Sequence, residues 1–410
     1  MNNKMRLTNV VAHVAEVPRD VVILSYARTP IGSFGSLLSD IDASSLGGVA
    51  MKGCFDRVGI RSLITPNDVD EMFFGHVLSS GCGQAPVRQA ALKAGIPVHV
   101  PCTSVNKVCA SGMKALTLGS ALIRGGSHRV CVVGGMESMS RVPYFLPSHR
   151  SGRRLGHDSI LDGLILDGLW DPYSDKHMGS CAGKTARDFG IDRQAQDEYA
   201  ALSAERAVES HKNGYFKEEI VSVDIGRRKQ MTMTADEQLS KLNPKRLSEL
   251  KPAFELDGTV TAGNASSISD GAAALVISER YFANQRGVTP IATVLSWADG
   301  EREPADFAIA PSIAIQKALS IAGLTVDEID LWEINEAFAA VVLANAKLLN
   351  IPLSKVNVFG GAISLGHPLG CSGARIICTL LSAMKHRSAK LGCAAICNGG
   401  GGSTAVIIRM

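Results

Sequence analysis

The sequence predicts an α/β fold, a mainly parallel sheet with helices on both faces, divided into two similar halves. Three observations lead there. Short apolar runs that read as buried strands, Val21-Val-Ile-Leu-Ser25 and Arg129-Val-Cys-Val-Val133, alternate with helical patterns. The segment Cys109-Ala-Ser-Gly-Met-Lys-Ala115 opens a helix leading to a strand that ends in Gly134-Gly135. A second copy of this arrangement runs from Cys371-Ser-Gly-Ala-Arg375 to Asn398-Gly-Gly-Gly-Gly402, which points to an internal duplication with the active site at the shared face. Finally, 410 residues are too many for a single core and suit two or three cooperating domains.

In chain order, residues 1–20 read as a leader. Lys4, Arg6 and Arg19 are balanced there by Glu16 and Asp20, whereas a mitochondrial presequence is richer in Arg and poorer in acid. The strand at Val21 is followed by a turn at Ala27-Arg-Thr-Pro-Ile-Gly32. From Ser140 to Asn264 the texture becomes polar, and within it the run Gln194–Lys212 has the strongest helical pattern. A polar excursion of that length inside an α/β protein reads as a binding subdomain. The strand pattern returns at Ala272-Ala-Ala-Leu-Val-Ile277.

A net charge of +3 is too small to argue for nucleic acid. The clusters Arg227-Arg228-Lys229 and Lys245-Arg246 read as solvated surface, with a nucleotide phosphate as the alternative partner. Cysteines number ten, yet no CxxC pair or metal-ligand spacing occurs. Cys54, Cys131 and Cys378 sit in apolar surroundings as small hydrophobes, which points to buried thiols in a reducing compartment. No apolar run is long enough to span a bilayer.

Three motifs carry chemistry. In Asn106-Lys-Val-Cys109-Ala-Ser-Gly112, Pro101 precedes an extended run and the small residues after Cys109 suit a helix start. A thiol at a helix N-terminus is expected to have a lowered pKa and an open approach. In Gly360-Gly-Ala-Ile-Ser-Leu-Gly366-His367-Pro368-Leu-Gly370, a histidine between Gly and Pro sits on a fixed loop, where an imidazole can serve as base. In Cys393-Ala-Ala-Ile-Cys397-Asn398-Gly-Gly-Gly-Gly402, Cys397 leaves a buried strand just before glycines whose amides can line an oxyanion hole. Beside these, Asn335-Glu336 emerges at the end of the apolar strand in Trp332-Glu-Ile-Asn335-Glu336-Ala-Phe338. Asn335 can orient a water or hold a carbonyl. Glu336 can fix a neighbouring histidine or act as a helix N-terminal acid.

Together these segments resemble the thiolase family over nearly the whole chain from Val21, and most of all its short-chain acetoacetyl-CoA members, including the mitochondrial branch. The likeness is carried by Asn106-Lys-Val-Cys109-Ala-Ser-Gly-Met-Lys114, Gly134-Gly-Met-Glu-Ser-Met139, His177-Met-Gly179, Asn335-Glu-Ala-Phe338 and Gly366-His-Pro368. The resemblance implies a five-layered αβαβα fold with halves at 21–139 and 266–410, a CoA-binding loop domain at 140–265, and a homotetramer. It implies acetyl-CoA, acetoacetyl-CoA and CoA as partners, with no nucleic acid or membrane, in the cytoplasm or the mitochondrial matrix. Cys109 is then the nucleophile, His367 the base for its thiol, and Cys397 the acid/base at C2 of the second acetyl-CoA. Asn335 (through a water) and His367 hold one thioester oxygen, and the N–H groups of Cys109 and Gly399 the other. His177, Met178, Ala337, Phe338 and Ser266 lie along the acyl and pantetheine path, with Lys241 or Arg246 near the nucleotide phosphates.

The resemblance implies no required cofactor. The mitochondrial branch places potassium among backbone carbonyls that correspond to Ala262, Gly263, Ala265 and Ile363, together with a tyrosine. That tyrosine aligns with Ala204, which weighs against potassium activation. The branch's Phe-Pro pair, linked to 2-methyl substrates, reads Phe307-Ala308. The rival readings are a longer-chain 3-ketoacyl-CoA thiolase with the same three catalytic residues and, from a different class, a non-catalytic acyl-CoA-binding relative. A β-ketoacyl synthase would have histidine where Cys397 stands, and a Cys/His hydrolase leaves Cys397 unexplained.

Overall fold

A computed structural model describes residues 19–57, 60, 62–152, 155–226, 231–241 and 243–410; the leader up to residue 18 and the whole cluster Arg227-Arg228-Lys229 lie outside the described residues. The longer strands, in chain order, are β1 (Val21–Arg28), β2 (Glu71–Gly75), β3 (Cys102–Val105), β4 (Val130–Ser138), β5 (Ser269–Glu279), β6 (Ala292–Glu301), β7 (Leu331–Ile334), β8 (Leu391–Asn398) and β9 (Gly402–Arg409). All join one sheet, in the order β7-β8-β9-β6-β1-β5-β4-β2-β3.

That order reads almost the same from either end. On one side β1 pairs antiparallel with β5, β5 antiparallel with β4, and β4 parallel with β2. On the other, β6, β9, β8 and β7 repeat the same sequence of pairings. The two halves meet where β1 pairs antiparallel with β6. The duplication expected from the two Cys-and-Gly segments is therefore present as topology. The sheet is mixed, however, not mainly parallel. A strand buried on both faces is apolar throughout whichever way it runs, so its composition does not disclose its direction.

The helices are α1 (Ala43–Phe55), α2 (Pro86–Lys93), α3 (Ser111–Arg124), α4 (Met178–Asp188), α5 (Arg193–Lys212), α6 (Ala310–Ala322), α7 (Ala339–Leu349) and α8 (Leu369–Arg387). Helices α3 and α8 lie between the two half-sheets, where Met113, Leu116, Ile376 and Leu380 meet Val133, Leu275, Ile396 and Val406. Helix α8 is buried on every side from Leu369 to Met384, as a helix sandwiched between two layers must be. Leu46 and Met51 of α1 cover one outer face with Met72 and Phe74, and Ile315 of α6 and Val342 of α7 cover the other with Ile334 and Ile407. These are the five layers.

Gly134 and Gly135 do not close β4, which runs through them to Ser138. They are there for close packing: a Cβ on Gly134 would collide with the Ala273 carbonyl, and one on Gly135 with the Gly370 carbonyl of α8. β1 likewise continues through Ala27 and Arg28, which pair with β5, so the turn begins only at Thr29. Between 140 and 265 the chain forms three two-stranded ribbons and the helices α4 and α5. The expected helix at Gln194–Lys212 is α5, capped by Asp192, which accepts from Ala195 N at 2.8 Å. Arg28 ties this stretch to β1 through buried ion pairs with Glu219 and Asp236, each at 2.7 Å.

Candidate active site

Cys109 stands on the turn between β3 and α3. Val108 has φ +46°, a conformation that a β-branched residue seldom adopts. The turn is held by Asn106 Oδ1, which accepts from Val108 N at 3.0 Å, and by Ser111 Oγ, which accepts from Lys107 N at 2.8 Å. This geometry leaves Cys109 just ahead of the helix, partly exposed to a cavity of about 450 Å3, a size suited to a small-molecule site. The backbone N–H groups of Gly399 and of Cys109 itself hydrogen-bond the sulfur. They lower the thiol pKa, but burial outweighs them and pushes it up to about 12. The helix-terminal lowering expected from the sequence is thus overturned, because the apolar site penalises the thiolate more than two amides favour it. Attack on a carbonyl then needs a base at hand.

His367 is placed to be that base. Gly366 precedes it with φ +114°, and a Cβ there would collide with Ser269 Oγ, so only glycine allows the loop. His367 N donates to Ser267 O at 3.0 Å. Ser372, one turn into α8, donates its hydroxyl proton to Pro368 O at 2.9 Å and lies 2.6 Å from His367 Nδ1. With its own proton committed, the hydroxyl accepts from Nδ1–H, which leaves Nε2 as the proton acceptor. Nε2 is buried, has no hydrogen-bond partner among the described residues, and belongs to a residue lining the same cavity as Cys109. Burial and the Arg375 charge push the imidazole pKa down to about 3.

Cys397, the penultimate residue of β8, is 1% exposed and lines this cavity beside Cys109. Burial, with the neighbouring Cys109, pushes its thiol upward as well. Gly399 follows in the turn to β9, where Gly400 and Gly401 have φ +87° and +90°. Asn335 is 1% exposed just beyond β7, and neither polar atom of its side chain has a partner among the described residues. Other buried polar atoms, such as those of His76, Glu333 and Arg375, lack a hydrogen-bond partner there too; of these groups His367 lines the cavity, whereas Asn335 is not among its lining residues.

Glu336 does not fix a histidine. Its carboxylate accepts from Tyr199 OH and Ser203 Oγ at 2.8 Å, and from Asn357 Nδ2 and Ile363 N at 3.0 Å. It therefore anchors α5 and the loop leading to His367.

His177 caps α4, and its Nδ1 accepts from Gly179 N at 3.0 Å. Its proton is then on Nε2, the reverse of His367, so the cavity holds one imidazole donor and one acceptor. His177 stacks on Phe254 at 4.5 Å, and Phe254 and Phe307 meet Phe338 edge-on at 6.1 and 6.4 Å. Met178, Ser266, Ala337 and Phe338 line the cavity, as do Ala262 and Ala265. Gly263 and Ile363 are not among its lining residues. Lys241 and Arg246 are not brought to it either. Lys241 pairs with Glu237 at 2.7 Å, Arg246 with Glu249 at 3.2 Å, and the Arg246 side chain is 70% exposed.

Sequence reasoning missed Ser372, Phe254, Leu369, and the mouth residues Ser33 and Phe34. Ser372 had a signal, a hydroxyl five residues after a loop histidine at a helix start. Phe254, in a polar stretch, had only its own apolarity. Among the described residues no group of His, Cys, Asp and Glu is arranged to hold a metal, and no helix is long and apolar enough to cross a membrane.

A pH prediction follows from His367. A protonated imidazole cannot take the thiol proton, so activity is lost below its pKa. With that pKa far under the ordinary 6.5, acetyl-enzyme formation is expected to change less than about two-fold between about pH 7.5 and about pH 5.5. A rate profile with an acid limb centred near the ordinary value, about 6.5, would contradict it.

Residues 21–281 match the family profile described as the thiolase N-terminal domain, and residues 288–410 that of the thiolase C-terminal domain. The chain belongs to the thiolase family, and as such is an acyltransferase. It is 51% identical to acetyl-CoA acetyltransferase 2 of Arabidopsis thaliana, over 97% of this chain and 100% of the relative. It is 50% identical to acetyl-CoA acetyltransferase IA of Candida tropicalis, over 95% and 97%. Its structure is similar to that of the Acat5 thiolase from Ascaris suum in complex with coenzyme A, with a TM-score of 0.90 and 43% identity, covering 95% of this chain and 100% of that one.

Proposed function

We propose that this chain is an acetyl-CoA C-acetyltransferase, which joins two acetyl-CoA reversibly into acetoacetyl-CoA and CoA through an acetyl-cysteine. The observation that carries the reading is the convergence of Cys109, His367 and Cys397 on one cavity that also holds the Gly399 amide. His367 Nε2 takes the Cys109 proton as the sulfur attacks the first thioester, and returns it to the departing CoA thiolate. The N–H groups of Cys109 and Gly399 receive the oxyanion. Cys397, as its thiolate, then removes a proton from C2 of the second acetyl-CoA, whose thioester oxygen is held by a water on Asn335, since Nε2 of the neutral His367 has no proton to donate to it. The resulting carbanion bonds to the acetyl carbonyl carbon and expels the Cys109 thiolate, which takes up the proton held by Cys397. Both thioesters are held in one cavity, which supplies the entropic part of the acceleration.

The pantetheine arm runs past His177, in a loop domain spanning 140–265, and past Ser266, at the start of the 266–410 half that follows the 21–139 half and the loop domain. A nucleotide phosphate reaching Lys241 or Arg246 has to displace their surface ion pairs. The enzyme works as a homotetramer in the cytoplasm or the mitochondrial matrix, and its His177-Met178 pair argues for short acyl chains. The potassium site of the mitochondrial branch does not fit in full: Ala204 is 4% exposed and brings no oxygen. No step is assigned to potassium.

The rings of Phe254, Phe307 and Phe338 close the acyl end, which favours a two-carbon acyl group. Thiolysis of acetoacetyl-CoA is expected to exceed that of an eight-carbon 3-ketoacyl-CoA by about tenfold or more in kcat/KM, with no change on adding potassium at constant ionic strength. Equal rates on both substrates favour the longer-chain thiolase, and no turnover on either favours a non-catalytic acyl-CoA-binding protein.

A further inference from the structure

The reaction as described makes no use of Glu137, although its setting is unusual. Its side chain is fully buried at the end of β4, and a carboxylate is costly to bury without strong partners. Among the described residues no lysine or arginine pairs with it. Buried His76 lies with Nε2 3.4 Å from Glu137 Oε1, its pKa pushed down to about 4 by burial, while burial pushes the Glu137 carboxyl up to about 7 against the backbone amides that lower it. The partners are instead three backbone amides. Val77 N and Leu78 N each donate at 3.1 Å, and Gly370 N donates at 2.8 Å.

These amides adjoin the active site from two sides without lining its cavity. Val77 and Leu78 follow β2 and pack in one apolar cluster with Val108, Cys109 and Leu369. Gly370 is the second residue of α8, three positions after His367. The N-cap of α8, Pro368, offers no side-chain cap, so Glu137 caps this helix from another strand. The fit is close: a Cβ on Gly370 would lie 2.8 Å from both Glu137 Oε2 and the Met136 carbonyl. The topology adds a second observation. β4 and β8 occupy matching places in the two half-sheets, and Glu137 and Cys397 are each the penultimate residue of their strand. One half turns this position into the cavity as a thiol. The other turns it beneath the cavity as a clamp.

We propose that Glu137 is a positioning residue for the acyl transfer: its carboxylate ties the start of the His367 helix to the Val77–Leu78 backbone against Cys109, and so sets the approach of the imidazole to the thiol. The proposal rests on the acetyltransferase reading above. Misplacement of reacting groups by about 1 Å can lower a rate on the order of a hundredfold. Glu137 touches neither thioester, so its loss acts on kcat and leaves substrate affinity in place.

The test is Glu137→Gln, which keeps the size and shape of the side chain but turns an amide NH2 toward donors. Thiolysis of acetoacetyl-CoA and acetyl-enzyme formation from labelled acetyl-CoA are measured beside the native enzyme. The expected result is a fall of about 10- to 100-fold in kcat, a matching fall in the rate of acetyl-enzyme formation, and KM within about two-fold. A kcat and acetylation rate within two-fold of native overturn the proposal, and so does a rise in KM at unchanged kcat. Should Glu137→Gln not accumulate as folded protein, Glu137→Asp carries the same measurements and the same criteria, with the charge kept and the reach shortened by one methylene. An inactive native enzyme would instead overturn the acetyltransferase reading, so the two failures are distinguishable.

Discussion

Replacing Cys109 with alanine is expected to eliminate acetyl-enzyme formation from labelled acetyl-CoA, with turnover lower on the order of 10,000-fold or more. The size of the effect follows from the geometry. Cys109 is the cavity cysteine whose sulfur is met by two backbone N–H groups, and it stands on a turn strained at Val108. Its thiol is pushed up to about 12, so it reacts by giving its proton to His367 during attack. Serine at this position is expected to do little better. A hydroxyl is far harder to ionise than a thiol and its shorter bond draws the nucleophile back from the carbonyl. Intact-protein mass spectrometry after incubation with acetyl-CoA gives the answer directly. A stoichiometric acetyl adduct on Cys109→Ala would move the nucleophile elsewhere.

Replacing Cys397 with alanine is expected to separate the two half-reactions. Acetyl-enzyme still forms, because Cys109, His367 and the Gly399 amide are untouched. Condensation falls by about 100- to 10,000-fold, the usual range for loss of a positioned acid or base. The same variant is expected to lose exchange of the acetyl-CoA C2 hydrogens with solvent deuterium, which needs the base but no new carbon–carbon bond. Cys397 is 1% exposed at the end of an interior strand, and its thiol is pushed upward by burial and by Cys109. Such a group is suited to exchanging a proton with a carbanion shielded from water. Condensation within tenfold of native, or failure to acetylate at all, would show that the roles are wrongly divided.

Much of this was legible before any coordinates. Cys109, His367 and Cys397 each sit in a local sequence that ordinary packing does not need: small residues after the first, Gly and Pro around the second, four glycines after the third. Such patterns are local, so they survive without knowledge of the fold. The thiol pKa of Cys109 was not legible in this way. Helix-end amides can be read from sequence, but desolvation is set by residues remote in the chain, such as Phe254, Phe338 and Leu369, that close the cavity. Glu336 was misread for the same reason, since the partners that claim it, Tyr199, Ser203 and Asn357, lie far from it in sequence. Lys241 and Arg246 looked available as isolated charges, yet each is held by an acid within one helical turn.

By itself, the amino-acid sequence determined the duplicated α/β plan, the buried strands, and the residue types that meet at the reaction centre, because apolar periodicity and glycine placement are properties of the local chain. Only the tertiary structure decided strand direction and the burial of Glu137 against the amides of Val77, Leu78 and Gly370. These depend on which distant groups come within hydrogen-bond reach, and no local pattern encodes a partner more than two hundred residues away.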